Sequence, residues 1–376
     1  MHIGIPAEIR AGETRVAATP ETVKKLASGG RHQLLVQAGA GDKAAVPDSE
    51  FSAAGGAIVS GAAELYAQSE IVLKVRAPES SELGLMRSGT LLVGLLNPYD
   101  PALVNSYALA GLTCFALESL PRITRAQPMD VLSSQANIGG YKAVILAASE
   151  YQRFMPMLMT AAGTVKAARV LVLGAGVAGL QAIATAKRLG AVVEASDVRP
   201  AVKEQIESLG AKFLDVPLLT DEEREIARGV GGYARPMPAE WMQRQAQLVH
   251  ERAKAADIIV TTALIPGRPA PVLLKEETVK AMKPGAVIVD MAIEQGGNCQ
   301  LTERDKIVVK HGVKLIGLAN LPALVAADAS ALYARNVLSF LNLLLDAKSG
   351  QLNLDRNDEI IAGALLCIGG EVVNKS

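Results

Sequence analysis

The sequence predicts an α/β protein built from two doubly wound domains that are joined by long helices, with a cleft between them. Short apolar runs alternate with amphipathic stretches, which is typical of parallel strands with helices on both faces of a sheet. The length of 376 residues corresponds to about two domains. Glycine is plentiful and aromatic residues make up only 3%, which suits helices packed closely on sheets.

The first third of the chain carries five predicted strands and a clear helix start. The strands are "HIGIPAE", "HQLLVQAGAG", "EIVLKVRAP", "GTLLVGLLN" and "LTCFALES". Between the first two, "TPETVKKLASGG" predicts a helix, because Thr19 can cap it and Pro20 fits its first turn.

Two long helices are predicted to connect the domains, one from about Asp130 to Tyr151 and one from about Ser330 to Leu345. They divide the chain into an N-terminal domain of residues 1–128, completed by 325–376, and a second domain of residues 129–324. Residues 216–245 mix charges with "GVGGYARPMP", and this irregular pattern predicts a flap.

Composition excludes several classes of partner and location. The formal net charge is zero, so no global field attracts nucleic acid or an acidic membrane. Cys114, Cys299 and Cys367 form no CxxC pattern, and we expect reduced thiols and no metal site. The start, "MHIGIPAEIRAGETR", has charges where a signal peptide needs an apolar run, and "IIAGALLCIGG" is too short to span a bilayer. We expect a soluble, cytosolic chain with no anchor of its own.

A glycine motif predicts a dinucleotide site in the second domain. "GAGVAG" directly follows the strand "RVLVL" and opens the helix "VAGLQAIATAKRLG", which is the context that G-x-G-x-x-G requires in a Rossmann-like domain. Gly174 permits the tight turn, Gly176 lets the backbone approach a pyrophosphate, and Gly179 lets the helix pack on the strand. Val177 and Ala178 lie at the helix N-terminus, which stabilises phosphate charge.

Further cofactor contacts are expected at later strand ends, because ligands bind outside the carboxyl ends of parallel strands. Asp197 ends the next strand, where a carboxylate accepts hydrogen bonds from ribose hydroxyls and repels a 2′-phosphate, so NAD(H) is favoured over NADP(H). Arg199 leaves the opposite preference open, because it could pair with that phosphate. The other candidates are Val198, Ala263 and Leu264, while Thr262 and Asn298 fit loop structure as well as contact.

A dense polar cluster precedes the first long helix. The stretch "PRITRAQPMDVLSSQANIGGY" at 121–141 is strongly polar at its start, in a chain that is half hydrophobic and one-fifth charged. It is either a solvated loop or a set of groups that converge on a polar ligand.

Several of these motifs together resemble the NAD(H)-binding component of proton-translocating nicotinamide nucleotide transhydrogenase. They are "RITRAQPMDVLSSQAN", "GAGVAGLQAIATAKRLGA", "GGYA", "TTALIPGRPAP" and "GGNC". The N-terminal "GIPAEIRAGETRVAATP" is shared with alanine dehydrogenase, which has the same two-domain architecture. The resemblance runs to about residue 350 and implies the split-subunit form, whose membrane-spanning and NADP(H)-binding parts are separate chains.

The resemblance also implies roles for single residues. The family's nicotinamide loop matches here at four candidate catalytic residues, with Ile123 and Thr124 beside the cofactor. The four are Arg122, Gln127, Asp130 and Ser133. Gly232 and Tyr233 match the family's flap, which closes over the bound nucleotide. A homodimer on the cytoplasmic side of the inner membrane, held there by partner subunits, is the implied assembly.

Two enzyme classes share this fold. An amino-acid dehydrogenase needs a general acid/base, and alanine dehydrogenases place a histidine where this chain has Leu96-Asn97. Arg15 and Lys74 do match that family's substrate-carboxylate positions, although an inherited ion pair is the favoured interpretation. Hydride passing directly between two nicotinamides needs alignment and no proton donor. The sequence therefore favours transhydrogenase, with alanine dehydrogenase or a non-catalytic NAD(H)-sensing module as alternatives.

Overall fold

The computed structural model describes residues 1–227, 237–265, 267–346 and 348–373. The chain divides into two compact units, the first made of Met1–Gln135 and Pro322–Ser376 and the second of Ala136–Leu321. The sequence prediction places these boundaries after residues 128 and 324. The proposed flap residues Gly232 and Tyr233 lie outside the described residues.

The N-terminal part of the first unit alternates strands and helices. Its strands are β1 (His2–Ile5), β2 (Gln33–Gln37), β3 (Gly56–Val59), β4 (Ile71–Arg76), β5 (Leu91–Leu95) and β6 (Thr113–Ala116). Its helices are α1 (Pro20–Ala27), α2 (Asp48–Ala53), α3 (Ala62–Gln68), α4 (Ser80–Leu83) and α5 (Pro101–Leu109). All five strands predicted in this region are present, and β3 is an addition.

The second unit begins within a long helix and continues as a βα series. Its helices are α6 (Val131–Glu150), α7 (Val177–Arg188), α8 (Lys203–Ser208), α9 (Asp221–Ala227), α10 (Ala239–Ala255) and α11 (Glu276–Lys280). Its strands are β7 (Leu158–Thr160), β8 (Gly163–Val165), β9 (Arg169–Leu173), β10 (Val192–Ser196), β11 (Lys212–Phe213), β12 (Ile258–Thr261), β13 (Val287–Asp290), β14 (Ile307–Lys310) and β15 (Val313–Ile316). Helix α6 matches the predicted helix to within a residue at each end.

The chain then returns to the first unit. These elements are α12 (Ala326–Leu344), α13 (Glu359–Ala364), β16 (Leu365–Ile368) and β17 (Glu371–Val372). Helix α12 starts four residues earlier than predicted. In the described part of the chain, the first unit's main sheet has eight strands in the order β17-β16-β6-β5-β4-β1-β2-β3.

Both faces of this first sheet are buried, as alternate residues of its strands show. Along β4, Ile71 and Leu73 pack in one apolar cluster while Val72 packs in a second cluster. The strand carries one charged residue among its buried positions, Lys74, whose side chain is 1% exposed. A charge in that place requires compensation by other groups.

The second unit's main sheet has seven described strands in the order β11-β10-β9-β12-β13-β15-β14. Its faces are also both covered, since Val170 and Val172 join one apolar cluster while Leu171 and Leu173 join another. The register pairs Leu173 at the end of β9 with Ser196 of β10 and Thr261 of β12. The residues that follow these three strand ends are therefore neighbours at one edge.

Antiparallel pairs occur in both main sheets. Strands β14 and β15 are antiparallel, because His311 and Gly312 join them in a two-residue turn with φ of 52° and 76°. A turn this short cannot connect parallel strands. At the other end of the chain, β16 pairs antiparallel with β6. Among the described residues, no helix combines the length and apolar character needed to cross a membrane.

Candidate functional site

The predicted dinucleotide motif forms a tight turn between β9 and α7. Gly174 has φ of 98°, in the left-handed region that favours glycine, and its N–H donates to Ser196 O at 2.8 Å. A Cβ atom on Gly179 would lie 1.9 Å from Gly174 O, so the first turn of α7 packs directly on the glycine turn. The glycines at these two positions are required by the backbone itself.

Gly176 differs from the other two glycines in having open space before it. A Cβ built on Gly176 has no neighbouring atom within 4 Å. The adjacent N–H groups of the α7 first turn, which include those of Val177 and Ala178, have no partners within the helix. A concave backbone with oriented N–H groups fits a pyrophosphate and a dinucleotide. The residues of this turn therefore fit NAD(H) as a ligand.

The loop after β12 is fixed by side chains from elsewhere in the second unit. Thr262 Oγ1 donates to Gly174 O at 3.0 Å, which ties this loop to the glycine turn. Asn298 Oδ1 accepts from Ala263 N at 3.1 Å, and its Nδ2 donates to Ala263 O and Pro271 O, both at 2.8 Å. Thr262 and Asn298 thus hold loop structure. Their contacts set the position of Ala263 and of the exposed Leu264.

Asp197 lies beside the glycine turn, and its carboxylate already has several donors. Oδ2 accepts from Ala175 N at 2.7 Å and from Arg199 Nη2 at 2.8 Å. Oδ1 accepts from Arg199 N at 2.8 Å and from Arg199 Nε at 2.9 Å. A carboxylate has about four lone-pair sites. A ribose hydroxyl can therefore donate a hydrogen bond to Asp197 only if the Arg199 side chain releases one of its own hydrogen bonds to that carboxylate.

The pairing also affects the pKa of Arg199. Its hydrogen bond to Asp197 raises the pKa of the guanidinium. Val198 packs against the apolar cluster that contains Val216 and Trp241. The sequence analysis named Asp197 and Arg199 as separate candidates. Because they are only two residues apart, their spacing could have predicted the ion pair.

The polar cluster of the first unit forms a short 3₁₀ helix over Thr124–Met129, immediately before α6. Ala126 and Met129 are buried and anchor the segment in the core. Arg122 and Gln127, in contrast, are exposed. Thr124 is also exposed and Ile123 is half-buried, so the polar face of the segment is open to solvent.

Asp130 and Ser133 act together at the start of α6. Asp130 Oδ1 accepts from Ser133 N at 2.9 Å, which caps the helix, and Oδ2 accepts from Ser133 Oγ at 2.6 Å. These bonds fix the rotamers of both side chains. The carboxylate has two further lone-pair sites for a donor such as the NH₂ of a carboxamide.

Arg15 and Lys74 are paired with buried carboxylates in the first unit. Arg15 donates from Nε to Glu13 Oε1 at 2.8 Å and from Nη2 to Glu13 Oε2 at 2.7 Å. Lys74 Nζ lies 2.6 Å from Glu82 Oε1 and 3.2 Å from Glu8 Oε2. The ion-pair interpretation is confirmed. The sequence analysis did not identify the three carboxylates. Glu8 is far from Lys74 in the chain, whereas Glu13 lies two residues from Arg15 and Glu82 eight residues from Lys74.

Glu118 bonds to the turn at Leu96-Asn97, where an amino-acid dehydrogenase was expected to carry its histidine. Its carboxylate accepts from Asn97 N at 2.6 Å and from Leu96 N at 3.1 Å, at the turn that follows β5. Burial raises the pKa of Glu118 to about 7. Sequence reasoning missed this residue, since nothing local connects it with a turn on a neighbouring strand.

Comparison with known proteins agrees with these features. The family model for the C-terminal domain of alanine dehydrogenase/PNT matches residues 143–375, and the model for the N-terminal domain matches residues 4–139. The chain belongs to the alanine dehydrogenase/PNT family.

Relatives from both branches of this family match nearly the whole chain. A Rhodospirillum rubrum chain of NAD(P) transhydrogenase subunit alpha is 50% identical over 380 residues, covering 100% of this chain and 98% of that protein. The crystal structure of transhydrogenase from Sinorhizobium meliloti is 47% identical, with a TM-score of 0.88, and covers 99% of this chain and 100% of that one. Alanine dehydrogenase of Methanococcus maripaludis is 31% identical, over 90% of this chain and 86% of that protein.

The glycine turn gives a prediction that separates folding from binding. Gly179→Ala should lower the free energy of unfolding by about 1 to 3 kcal/mol, because its Cβ overlaps backbone. Gly176→Ala should keep wild-type stability and weaken NADH binding, because its methyl group takes the space before α7. Urea denaturation and fluorescence titration with NADH measure the two effects. Equal destabilisation by both variants would contradict this division.

Glu118 gives a prediction about pH. Its pKa is raised in the folded chain, so the folded state holds the proton more tightly than the unfolded state does. Its contribution to stability should be complete below about pH 4.5 and lost as the pH rises through about 7. Wild type should therefore lose on the order of 2 to 3 kcal/mol more between pH 4.5 and 8 than Glu118→Gln does. Glu50→Gln, at an exposed position on α2, is the control, and an unchanged pH dependence in Glu118→Gln would refute the assignment.

Proposed function

We propose that this chain is the NAD(H)-binding subunit of a proton-translocating NAD(P) transhydrogenase. It transfers hydride directly between NADH and NADP⁺ bound on a partner subunit. The observation that carries the proposal is the paired state of Arg15 and Lys74, the two cations that an alanine dehydrogenase would use for its substrate carboxylate. The R. rubrum transhydrogenase subunit, similar over the whole chain, supports the same branch.

The second unit is proposed to hold the pyrophosphate and adenosine of NAD(H). N–H groups at Gly176–Gly179 donate to the pyrophosphate, and the N-terminus of α7 stabilises its charge. Asp197 accepts from the ribose hydroxyls after Arg199 moves aside. Ala263 and Leu264, fixed by Asn298, border the same edge of the sheet. Gly232 and Tyr233 are proposed to close over the nucleotide, as the family resemblance implies.

The first unit is proposed to orient the nicotinamide through the segment Arg122–Ser133. A carboxamide offers one acceptor and two donors. Arg122 can donate to its oxygen. Asp130, Gln127 and the Ser133 hydroxyl oxygen, whose proton is donated to Asp130, can accept from its NH₂. The bound nicotinamide supplies or accepts the hydride. The pairing of Asp130 with Ser133 fixes both groups in position, which would help to orient a carboxamide bound there.

Direct hydride transfer requires no residue of this segment to donate or accept a proton. Hydride transfer between nicotinamides requires close approach, alignment and exclusion of water. Reduction of an oxo acid would also need an acid/base and a free cation for the carboxylate. Glu118 has a suitable pKa, but its carboxylate is bonded to the backbone at Leu96 and Asn97. The geometry therefore supports transhydrogenation better than amino-acid oxidation.

A mixing assay with three arms tests the function. The chain alone should be inactive with NADH and NADP⁺, and the chain with alanine and NAD⁺, or with pyruvate, ammonia and NADH, should also be inactive. Activity should appear only in the third arm, with a purified NADP(H)-binding subunit. Turnover of alanine would instead establish the dehydrogenase alternative, and silence in every arm would favour an NAD(H)-sensing module.

Nucleotide preference gives a second test. The chain should bind NADH much more tightly than NADPH, since Asp197 repels a 2′-phosphate. Asp197→Asn should reduce the difference between the NADH and NADPH affinities. It removes the repulsion of the 2′-phosphate and frees Arg199 to pair with that phosphate. Adding Arg199→Met to Asp197→Asn should then reverse the gain in NADPH affinity. Fluorescence titration measures all three proteins, and equal affinities of wild type for NADH and NADPH would exclude the proposed role of Asp197.

The chain is further proposed to form a homodimer that works with a membrane-spanning subunit and an NADP(H)-binding subunit at the cytoplasmic face of the inner membrane. The relatives named as transhydrogenase subunits support an assembly of several chains. The hairpin β7–β8 supports the dimer, because it exposes Leu158 and Met159, with Phe154 and Met157 exposed just before it. Met159, the most exposed of these at 74%, is suited to an interface.

Light scattering tests the dimer. Wild type should have the mass of two chains at micromolar concentration. The double variant Phe154→Asp with Met159→Asp should have a mass closer to that of one chain, because a charge at each position opposes burial in an interface. Ile307→Asp, at an exposed position on β14, is the matched control. A monomeric wild type would reject the dimer.

A further inference from the structure

The C-terminal segment of the chain contacts the candidate nicotinamide segment at several points. The first contact is an ion pair between Arg125 and Asp358. Arg125 Nη1 lies 2.6 Å from Asp358 Oδ2, and Nη2 lies 2.9 Å from Oδ1. This two-pronged geometry fixes the direction of the guanidinium as well as its distance. The hydrogen bond from Arg125 lowers the pKa of Asp358.

Asp358 is itself held by the helix that follows it. Its Oδ1 also accepts from Ile360 N at 2.8 Å, so the side chain caps α13. Helix α13 leads directly into β16, which pairs with β6 in the main sheet of the first unit. The carboxylate that contacts Arg125 is thus connected to the sheet through one short helix.

A close backbone approach lies beside the ion pair. A Cβ on Gly363 of α13 would lie 3.2 Å from Pro121 Cδ and 3.4 Å from Ser119 O. A side chain at this position would make a tight contact with the Pro121 ring. Helix α13 therefore packs against the residues immediately before Arg122.

The other end of the segment is held by α12. Asn336 Nδ2 donates to Pro128 O at 2.7 Å, and its Oδ1 accepts from Ser134 Oγ at 2.7 Å. These two bonds lie on either side of Asp130. The C-terminal part of the first unit thus contacts the segment before, within and after the residues proposed to meet the nicotinamide.

We propose that Asp358 is a positioning residue for hydride transfer, which holds the segment 122–133 through Arg125 in the orientation that presents Arg122, Gln127 and Asp130 to the nicotinamide. This inference rests on the function proposed above. Asp358 acts through Arg125 and has no contact with the reacting atoms. Asn336 supports the same segment from α12. Its two hydrogen bonds are between neutral groups and do not orient the Arg125 side chain.

Asp358→Asn is the decisive variant, because asparagine can still cap α13 while the charge and one acceptor of the ion pair are lost. In the full chain with its NADP(H)-binding partner, the single-turnover rate of hydride transfer should fall about tenfold, since small misplacements of a positioned group cost rate. NADH affinity should change less than about twofold, because the pyrophosphate and adenosine contacts lie in the other unit. Amide hydrogen exchange over residues 122–130 of the free chain should become faster.

Two further variants make the result specific. Asp100→Asn makes the same change at the cap of α5, where Asp100 accepts from Ala102 N and Leu103 N, and it should leave the rate and the exchange unchanged. Arg125→Gln should match Asp358→Asn, and the double variant should be no slower than either single variant, because both remove one interaction.

The outcomes are distinguishable. Wild-type rate and exchange in Asp358→Asn would overturn the proposal, as would a loss of thermal stability with an unchanged rate per folded molecule. If Asp358→Asn exchanges faster but the wild-type complex transfers no hydride, Asp358 still positions segment 122–133. The proposed function is then rejected.

Discussion

A charge in the middle of a buried strand must be compensated, and Lys74 of β4 is such a charge. Glu8 and Glu82 compensate it, and Glu13 does the same for Arg15. A cation with these partners is costly to redirect to a substrate, because the carboxylates would be left buried and unpaired. Charge pairing thus keeps Lys74 and Arg15 bound to their carboxylates within the first unit.

The same principle separates the polar groups that build structure from those that can bind a ligand. Arg125 and Gln135 belong to the polar cluster at 121–141, yet they bond to Asp358 and to Arg15. Arg122 and Gln127 are exposed. Part of the cluster is therefore a structural anchor within the first unit. That its exposed groups converge on a polar ligand stays a prediction.

The sequence predicted features that depend on neighbours in the chain. The strand, glycine turn and helix around Gly174 follow from local backbone requirements, and α6 follows from a long helical pattern with a capping Asp130. The partners of Lys74 could not be predicted, because they meet it only in the folded sheet. The β14–β15 hairpin carried a local signal in His311-Gly312, which was missed because a βα series favours parallel pairing. Asp197 was placed correctly at its strand end, but its pairing with Arg199 was not foreseen.

Isotope transfer tests the central claim most directly. NADH carrying deuterium at C4, on the face that the enzyme uses, is mixed with the chain, its NADP(H)-binding partner and NADP⁺ in ordinary water, and the NADPH formed is analysed by mass spectrometry. Direct transfer between nicotinamides predicts that the deuterium is recovered in NADPH, because no exchangeable proton takes part. Deuterium lost to water, or NADPH formed without the label, would show that the hydride passes through another group and would contradict the account.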